Sequence, residues 1–259
     1  MNAELRIIPI KGIGEIAADA DLGKIIYTAI QAQGLQIEAS DILVITQKIV
    51  SKAEGRVVQL DEIQPSAFAK KFANEYKKDA QHVEVVLQES HRIVRMSHGV
   101  LISETEHGFI CANAGVDESN VNGARQLTLL PHDSDLSARK IRTRLQQLTS
   151  ENARQAEVPD LAIIISDTWG RPWRNGQVNM AIGVAGMESI ADYRGQDDPY
   201  GYRLEASAIA VADELASAAE LVMGKIDQIP VALIRGYHYT RSESDSRMLI
   251  RDASTDMFR

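Results

Sequence analysis

The stretch LAIIISDTWGRPWRNGQVNMAIGVAG, residues 161–186, carries the first decision about fold. Five apolar residues, Leu161 to Ile165, are too short a run for a helix and read as a buried core strand. A hydroxyl, a carboxylate and a second hydroxyl follow at Ser166, Asp167 and Thr168. Then comes a turn holding Trp169, Arg171, Trp173 and Arg174. A lone Asp after a strand is usually a cap. An Asp–Thr pair followed by two arginines spaced by Pro and Trp is harder to derive from structure alone. Arginine forks grip phosphate or carboxylate with two hydrogen bonds, whereas the common role of the two tryptophans is packing.

Working outward, residues 4–10 and 41–47 and the run PVALIRG read as further strands. Asp19 or Asp21 can cap a helix through LGKIIYTAIQAQG, with Gly34 at its C-terminal end. Residues 65–76 and 139–148 read as helices, as does the Ala-rich segment 204–223, ended at Gly224. HVEVVLQES and RIVRMSHGVLISETEHGFICANAGV are rich in β-branched residues and carry HG turn signals, which predicts several strands. Strands and helices mix without a clean βαβ rhythm. The expected fold class is mixed α/β (α+β), not a doubly wound Rossmann sheet.

With 259 residues, the chain is long enough for one large domain or two small ones sharing a core. A net charge of -8 argues against a broad nucleic-acid surface, which needs a basic footprint, but leaves room for a phosphorylated ligand held locally. The single cysteine, Cys111, excludes an intrachain disulfide and suits a reducing cytoplasm. No signal peptide, linker, repeat or membrane-spanning run is visible, so neither a membrane nor a nucleic acid is expected as a partner.

Several motifs invite chemistry. GIGEIA, residues 12–17, follows a strand and matches a dinucleotide fingerprint, but the helix signal starts later and the acid Glu38 precedes the next strand. A plain glycine-rich turn, or one offering backbone N–H groups to a phosphate, are the other readings. There is no P-loop motif, so any nucleoside triphosphate is bound without one. TQKIVSKAEG sets Lys48 and Lys52 just past a buried strand, four residues apart, as either a solvated basic turn or an anion site. CANAGVDESN places Asp117 and Asn120 in an expected loop, as turn or cap residues or as ligands of a hard cation. The six histidines form no zinc pattern, and Cys111 has no base beside it, which suits an inert buried thiol.

Taken together, ITQKIVSKAEGRVV, CANAGVDESNV, SDTWGRPWRNGQVNMAIGVAGM, LVMGKIDQIPVALIRG and the closing DMF resemble the coenzyme F-420-0:γ-glutamyl ligases, in order and over nearly the whole chain. The resemblance implies a single ligase module over residues 1–259, standing alone without the nitroreductase-like domain of actinobacterial relatives. It implies a non-P-loop fold of its own with two closely joined lobes, and an intertwined homodimer. The family joins L-glutamate, first and further through γ-linkages, to the deazaflavin precursor F-420-0 with GTP and magnesium or manganese, two divalent ions being expected. Carried over by motif, Asp117, Asp167 and Thr168 would be metal ligands. Asn120, Ile13, Gly14, Glu15, Ile16, Gln47, Lys48 and Lys52 would lie against GTP, with Gly224 on a further nucleotide-side segment. Many relatives carry Gln or Glu after that glycine; here the residue is Lys225, so the resemblance carries no metal contact to it. Arg171 and Arg174 are candidates for contacting the transferring phosphoryl or the acceptor. The strand-rich middle, residues 83–116, should leave sheet edges that a dimer would cover. The competing readings are a non-catalytic binder of a phosphorylated deazaflavin and an NAD(P)-dependent oxidoreductase resting on GIGEIA.

Overall fold

The computed structural model describes residues 4–121, 124–152 and 159–257. From the N-terminus the elements are β1 (Arg6–Ile10), α1 (Leu22–Ala32), β2 (Ile42–Thr46), α2 (Gln47–Ala53), β3 (Val57–Gln59), α3 (Ala67–Tyr76) and α4 (Ala80–Gln88). Then follow β4 (Ser90–Ser97), β5 (Val100–Thr105), β6 (Ile110–Ala112), β7 (Asp117–Val121), β8 (Ala124–Thr128) and α5 (Ser134–Asn152). The chain continues with β9 (Ala162–Arg171), β10 (Arg174–Ala185), β11 (Ala191–Asp192), β12 (Ala208–Ile209), α6 (Val211–Met223) and β13 (Val231–Arg235).

The main sheet has the order β1-β13-β2-β9-β10. β2 and β9 run parallel, in the register Thr46 to Ser166, and the other neighbours are antiparallel. Alternation along the central strands assigns the two faces. Leu43, Ile45, Ile163, Ile165 and Leu233 pack with Ile26 and Ile30 of α1 and Ile141 and Leu145 of α5. Ile42, Val44, Ile164, Ala232 and Ile234 pack with Leu215, Ala216 and Ala219 of α6. Burial on both faces is why these strands are apolar throughout.

A second core joins Phe72 and Ala73 of α3, Val83, Val85 and Val86 of α4, Leu101 of β5 and Leu127 of β8. Two three-stranded sheets, β4-β5-β6 and β3-β8-β7, carry it. The β4–β5 hairpin closes at His98 and Gly99, both with positive φ, the backbone that a two-residue type I′ turn needs. Among the described residues no helix is long and apolar enough to cross a membrane.

The mixed α/β class stands, and of the two caps expected for α1 it is Asp21 that accepts, from Lys24 N; at α3, Ser66 accepts from Ala69 N. Four local readings change. HVEVVLQ is not a strand but α4, because Asp79 accepts from the backbone N–H groups of Gln81 and His82 and the valines point into the second core. The helix-propensity cost of each valine is only a few tenths of a kcal/mol, which core burial outweighs. Asp117 does not sit in a loop: it opens strand β7, whose partner is β8. The last helix begins at Val211, since residues 191–209 form a ribbon closed by β11 and β12. The strand entered by Leu161 does not stop before Asp167 but runs on to Arg171 in a hairpin with β10. Phe258 of the closing DMF lies outside the described residues.

Candidate active site

β1, β2 and β9 run in one direction, so all three finish at the same edge of the sheet, and β13 begins there. Ligand sites in open α/β sheets lie beyond the carboxyl ends of strands. At this edge is a cavity of about 460 Å³. Its walls are the loop Ile13-Gly14-Glu15-Ile16 after β1, Gln47, Lys48 and Lys52 of α2, Asp167 and Thr168 of β9, Gly224 and Lys225 after α6, and Asp117 of β7. The sheet thus gathers segments that the sequence scatters over more than 200 positions.

The cation side is built by α2, which starts directly after β2. Gln47 is buried, and its Oε1 accepts from Ser51 Oγ at 2.8 Å. That fixes the amide so that Nε2 faces Asp117 Oδ2 at 3.4 Å. Lys48 Nζ stands 3.4 Å from the same oxygen, and Lys52 is paired with Glu15. Both lysines therefore face the cavity from one side of a helical turn.

Asp167 forms the floor. Its Oδ1 accepts from Thr168 N and its Oδ2 from Trp169 Nε1, each at 2.8 Å. The Trp169 ring is braced by Phe109, with centroids 5.3 Å apart. Burial first, and then the nearby charge of Asp117, push the Asp167 carboxyl up to about 6. Two carboxylates converging at this cost are a fitting home for a hard divalent cation, whose charge would reverse the repulsion. Among the described residues no group of three or more His, Cys, Asp and Glu side chains could cage an ion. Such an ion would therefore share its coordination with a ligand, as magnesium does when it binds one or two carboxylates and a phosphate.

Beside Asp167, Thr168 Oγ1 donates to Asn179 Oδ1 at 2.6 Å, and Asn179 Nδ2 donates to Glu220 Oε2 at 2.9 Å. Lys225 donates to Thr168 Oγ1 and lies 3.3 Å from Glu220 Oε1. Gly224, with φ 60°, makes the turn that delivers Lys225; a Cβ there would press on the Asp227 carboxylate.

The expected residues divide plainly. Ile13, Gly14, Glu15, Ile16, Gln47, Lys48, Lys52, Asp117, Asp167, Thr168 and Gly224 line one cavity. Arg171 and Arg174 do not; they face each other across the hairpin tip, where Arg171 Nη2 reaches Asn175 O at 3.4 Å. The side chain of Asn120 lies outside the described residues. Sequence reasoning missed Asn179 and Glu220. Asn179 is the one polar residue in VNMAIG and Glu220 the one charged residue in ASAAELVM, and that isolation was the available signal. Cys111 is buried in β6, as expected, its thiol pushed up to about 12 by desolvation and then by Asp167.

Residues 12–236 match the family model described as F420-0:Gamma-glutamyl ligase. The chain is 45% identical over 258 residues to a protein of Methanothermobacter thermautotrophicus, covering 98% of this chain and 99% of that one. It is 42% identical to a protein of Methanopyrus kandleri, covering 98% of each. It is also 42% identical to one of Methanocaldococcus jannaschii, covering 86% of each. All three relatives carry the name Coenzyme F420:L-glutamate ligase.

Proposed function

This chain belongs to the F-420-0:γ-glutamyl ligase family, and from that membership we propose that it is a GTP-dependent ligase adding L-glutamate, first and then through further γ-linkages, to coenzyme F-420-0. The observation that carries the reading is the single cavity where Lys48, Lys52 and a glycine loop face the Asp117–Asp167 pair. Cations and the backbone of a glycine loop suit nucleotide phosphates, and the carboxylate pair suits magnesium or manganese.

An amide does not form from a carboxylate and an amine without activation. In this reading an acceptor carboxylate oxygen attacks the γ-phosphorus of GTP, the bond to the bridging oxygen breaks, and GDP leaves. The glutamate amine then attacks the acyl phosphate carbon, inorganic phosphate leaves, and the nitrogen loses a proton. Phosphoryl transfer asks the protein chiefly for positioning and charge neutralisation. Lys48 and Lys52 supply charge from α2. Gln47, locked by Ser51, holds Asp117 in place, and Trp169 and the Thr168 N–H hold Asp167. A divalent ion held by these two carboxylates, with Thr168 beside them, would neutralise phosphate charge. Arg171 and Arg174, on the adjoining hairpin, are proposed to meet the acceptor's phosphodiester or carboxylate as it approaches from outside the cavity.

The test is mass spectrometry of F-420-0 incubated with the protein, GTP, magnesium or manganese and L-glutamate. A product heavier by one or more glutamyl units, formed only with GTP and metal, is expected. Unchanged F-420-0 sinks the reading. A thermal shift with GTP plus metal but no turnover would favour the non-catalytic binder, and a shift with NAD(P) the oxidoreductase.

A further inference from the structure

We propose that the ammonium of Lys225 is a built-in second cation of this cavity, so that the site takes one divalent ion, between Asp117 and Asp167, and not two. The proposal rests on the reading that nucleotide phosphates and metal enter here.

Thr168, Asn179, Glu220 and Lys225 close a ring of three hydrogen bonds and one ion pair. The Thr168 hydroxyl has one proton, and it goes to Asn179 Oδ1 at 2.6 Å. The threonine oxygen therefore turns a lone pair toward Lys225 Nζ, which donates to it. Asn179 is 2% exposed, and its amide orientation is fixed from both ends, by the hydroxyl it accepts from and by Glu220 Oε2, to which it donates at 2.9 Å. The remaining Glu220 oxygen, Oε1, stands 3.3 Å from Lys225 Nζ.

Thr168 Oγ1 and Glu220 Oε1 are thus two hard oxygens held rigidly at one point on the cavity wall, the donor chemistry that a magnesium ion takes. The ammonium already occupies both. It carries three N–H donors; one goes to Thr168 Oγ1 and the ammonium is ion-paired with Glu220, which leaves donor capacity for an anion in the cavity that Lys225 lines. A divalent ion at this position would have to displace a cation from its own ion pair. The Asp117–Asp167 pair differs. Gln47 and Lys48 reach Asp117 Oδ2, both at 3.4 Å, but two converging carboxylates carry more negative charge than one lysine offsets, and the excess draws an ion in. Position 225 therefore sets the metal count. An acid there would join Glu220 and Thr168 as a ligand set; a lysine replaces that set with its own charge.

The experiment is metal stoichiometry of the full chain by equilibrium dialysis, with manganese and a non-hydrolysable GTP analogue, read beside electron paramagnetic resonance. One manganese per chain with the spectrum of an isolated ion is expected, and the same for Lys225→Arg. For Lys225→Glu two per chain are expected, with a spin-coupled spectrum. Lys225→Gln, also expected to take up a second ion, stands in should Lys225→Glu fail to fold; the 60% exposure of this side chain argues that both variants fold. Two coupled ions in the unaltered protein would overturn the proposal and leave the ligase reading standing. A single ion in both Lys225→Glu and Lys225→Gln would also overturn it. Absence of both metal and nucleotide binding would overturn the ligase reading and this proposal with it.

Discussion

Lys52 shows how a residue's neighbours decide its work. Its side chain is only 14% exposed and its ammonium is paired with Glu15 at the cavity wall, so it is not a solvated turn lysine. Loss of one charge-assisted contact costs about 1.5–3 kcal/mol. Lys52→Ala should therefore raise the GTP concentration needed for half-maximal rate by roughly ten- to a hundredfold, read in steady-state kinetics; an unchanged GTP requirement would detach Lys52 from the nucleotide. Asp117→Asn removes a charge from a side chain 46% exposed. It should abolish glutamate transfer while leaving the melting temperature within a degree or two, since exposed substitutions seldom move stability. Asp135 makes the opposite case, a buried acid outside the cavity. Its oxygens accept from Val184 N at 2.7 Å, Ser246 N at 2.9 Å and Ser246 Oγ at 3.0 Å. Burial nevertheless outweighs these bonds and raises its pKa above the ordinary 3.8. A folded pKa above the unfolded one favours the protonated form. Its stabilising effect is full below pH 3.8 and fades as pH rises through the folded value. Asp135→Asn keeps the acceptor for both backbone N–H groups without the charge. Its melting temperature should gain on the parent's as pH rises above the ordinary 3.8; a difference that stays constant with pH contradicts the sign.

At the scale of elements, α4 carries the clearest lesson. Its valines suit a strand, and only the Asp79 cap and the second core make them helical. Asp79 also pairs with Arg125 of β8. Asp79→Ala should cost about 1–2 kcal/mol, measured by urea denaturation, with Asp79→Ser recovering part of it through its own capping oxygen; equal losses in the two would place the effect in the ion pair alone. The core strands were legible because they are short, apolar and bounded by turn residues. β7 was not, because DESNV has no apolar alternation, and its strand form comes from pairing with β8, in register from Asp117 to Thr128. The ribbon over residues 191–209 escaped for a related reason: Ala-rich sequence at 206–212 continues smoothly into α6, and no local signal separates the two.

For the whole molecule, the family resemblance and the expected sheet edges together predict a homodimer. Light scattering at micromolar concentration should give twice the chain's mass, with little dissociation on dilution if the interface is large; an active monomer would sink that expectation. The amino-acid sequence by itself determined which core strands are apolar, where α1 is capped, that Cys111 is buried, and which motifs tie the chain to its family. All of these rest on short-range periodicity, capping and residue order. Only the tertiary structure decided that the cavity lies at the shared carboxyl edge of β1, β2 and β9, and that Arg171 and Arg174 stand outside it. It alone closed Thr168, Asn179, Glu220 and Lys225 into one ring. Gln47 meets Asp117 across 70 positions and Thr168 meets Lys225 across 57. No local pattern encodes such a pairing, because its partners are set by strand order and by where α6 ends, not by any repeat along the chain.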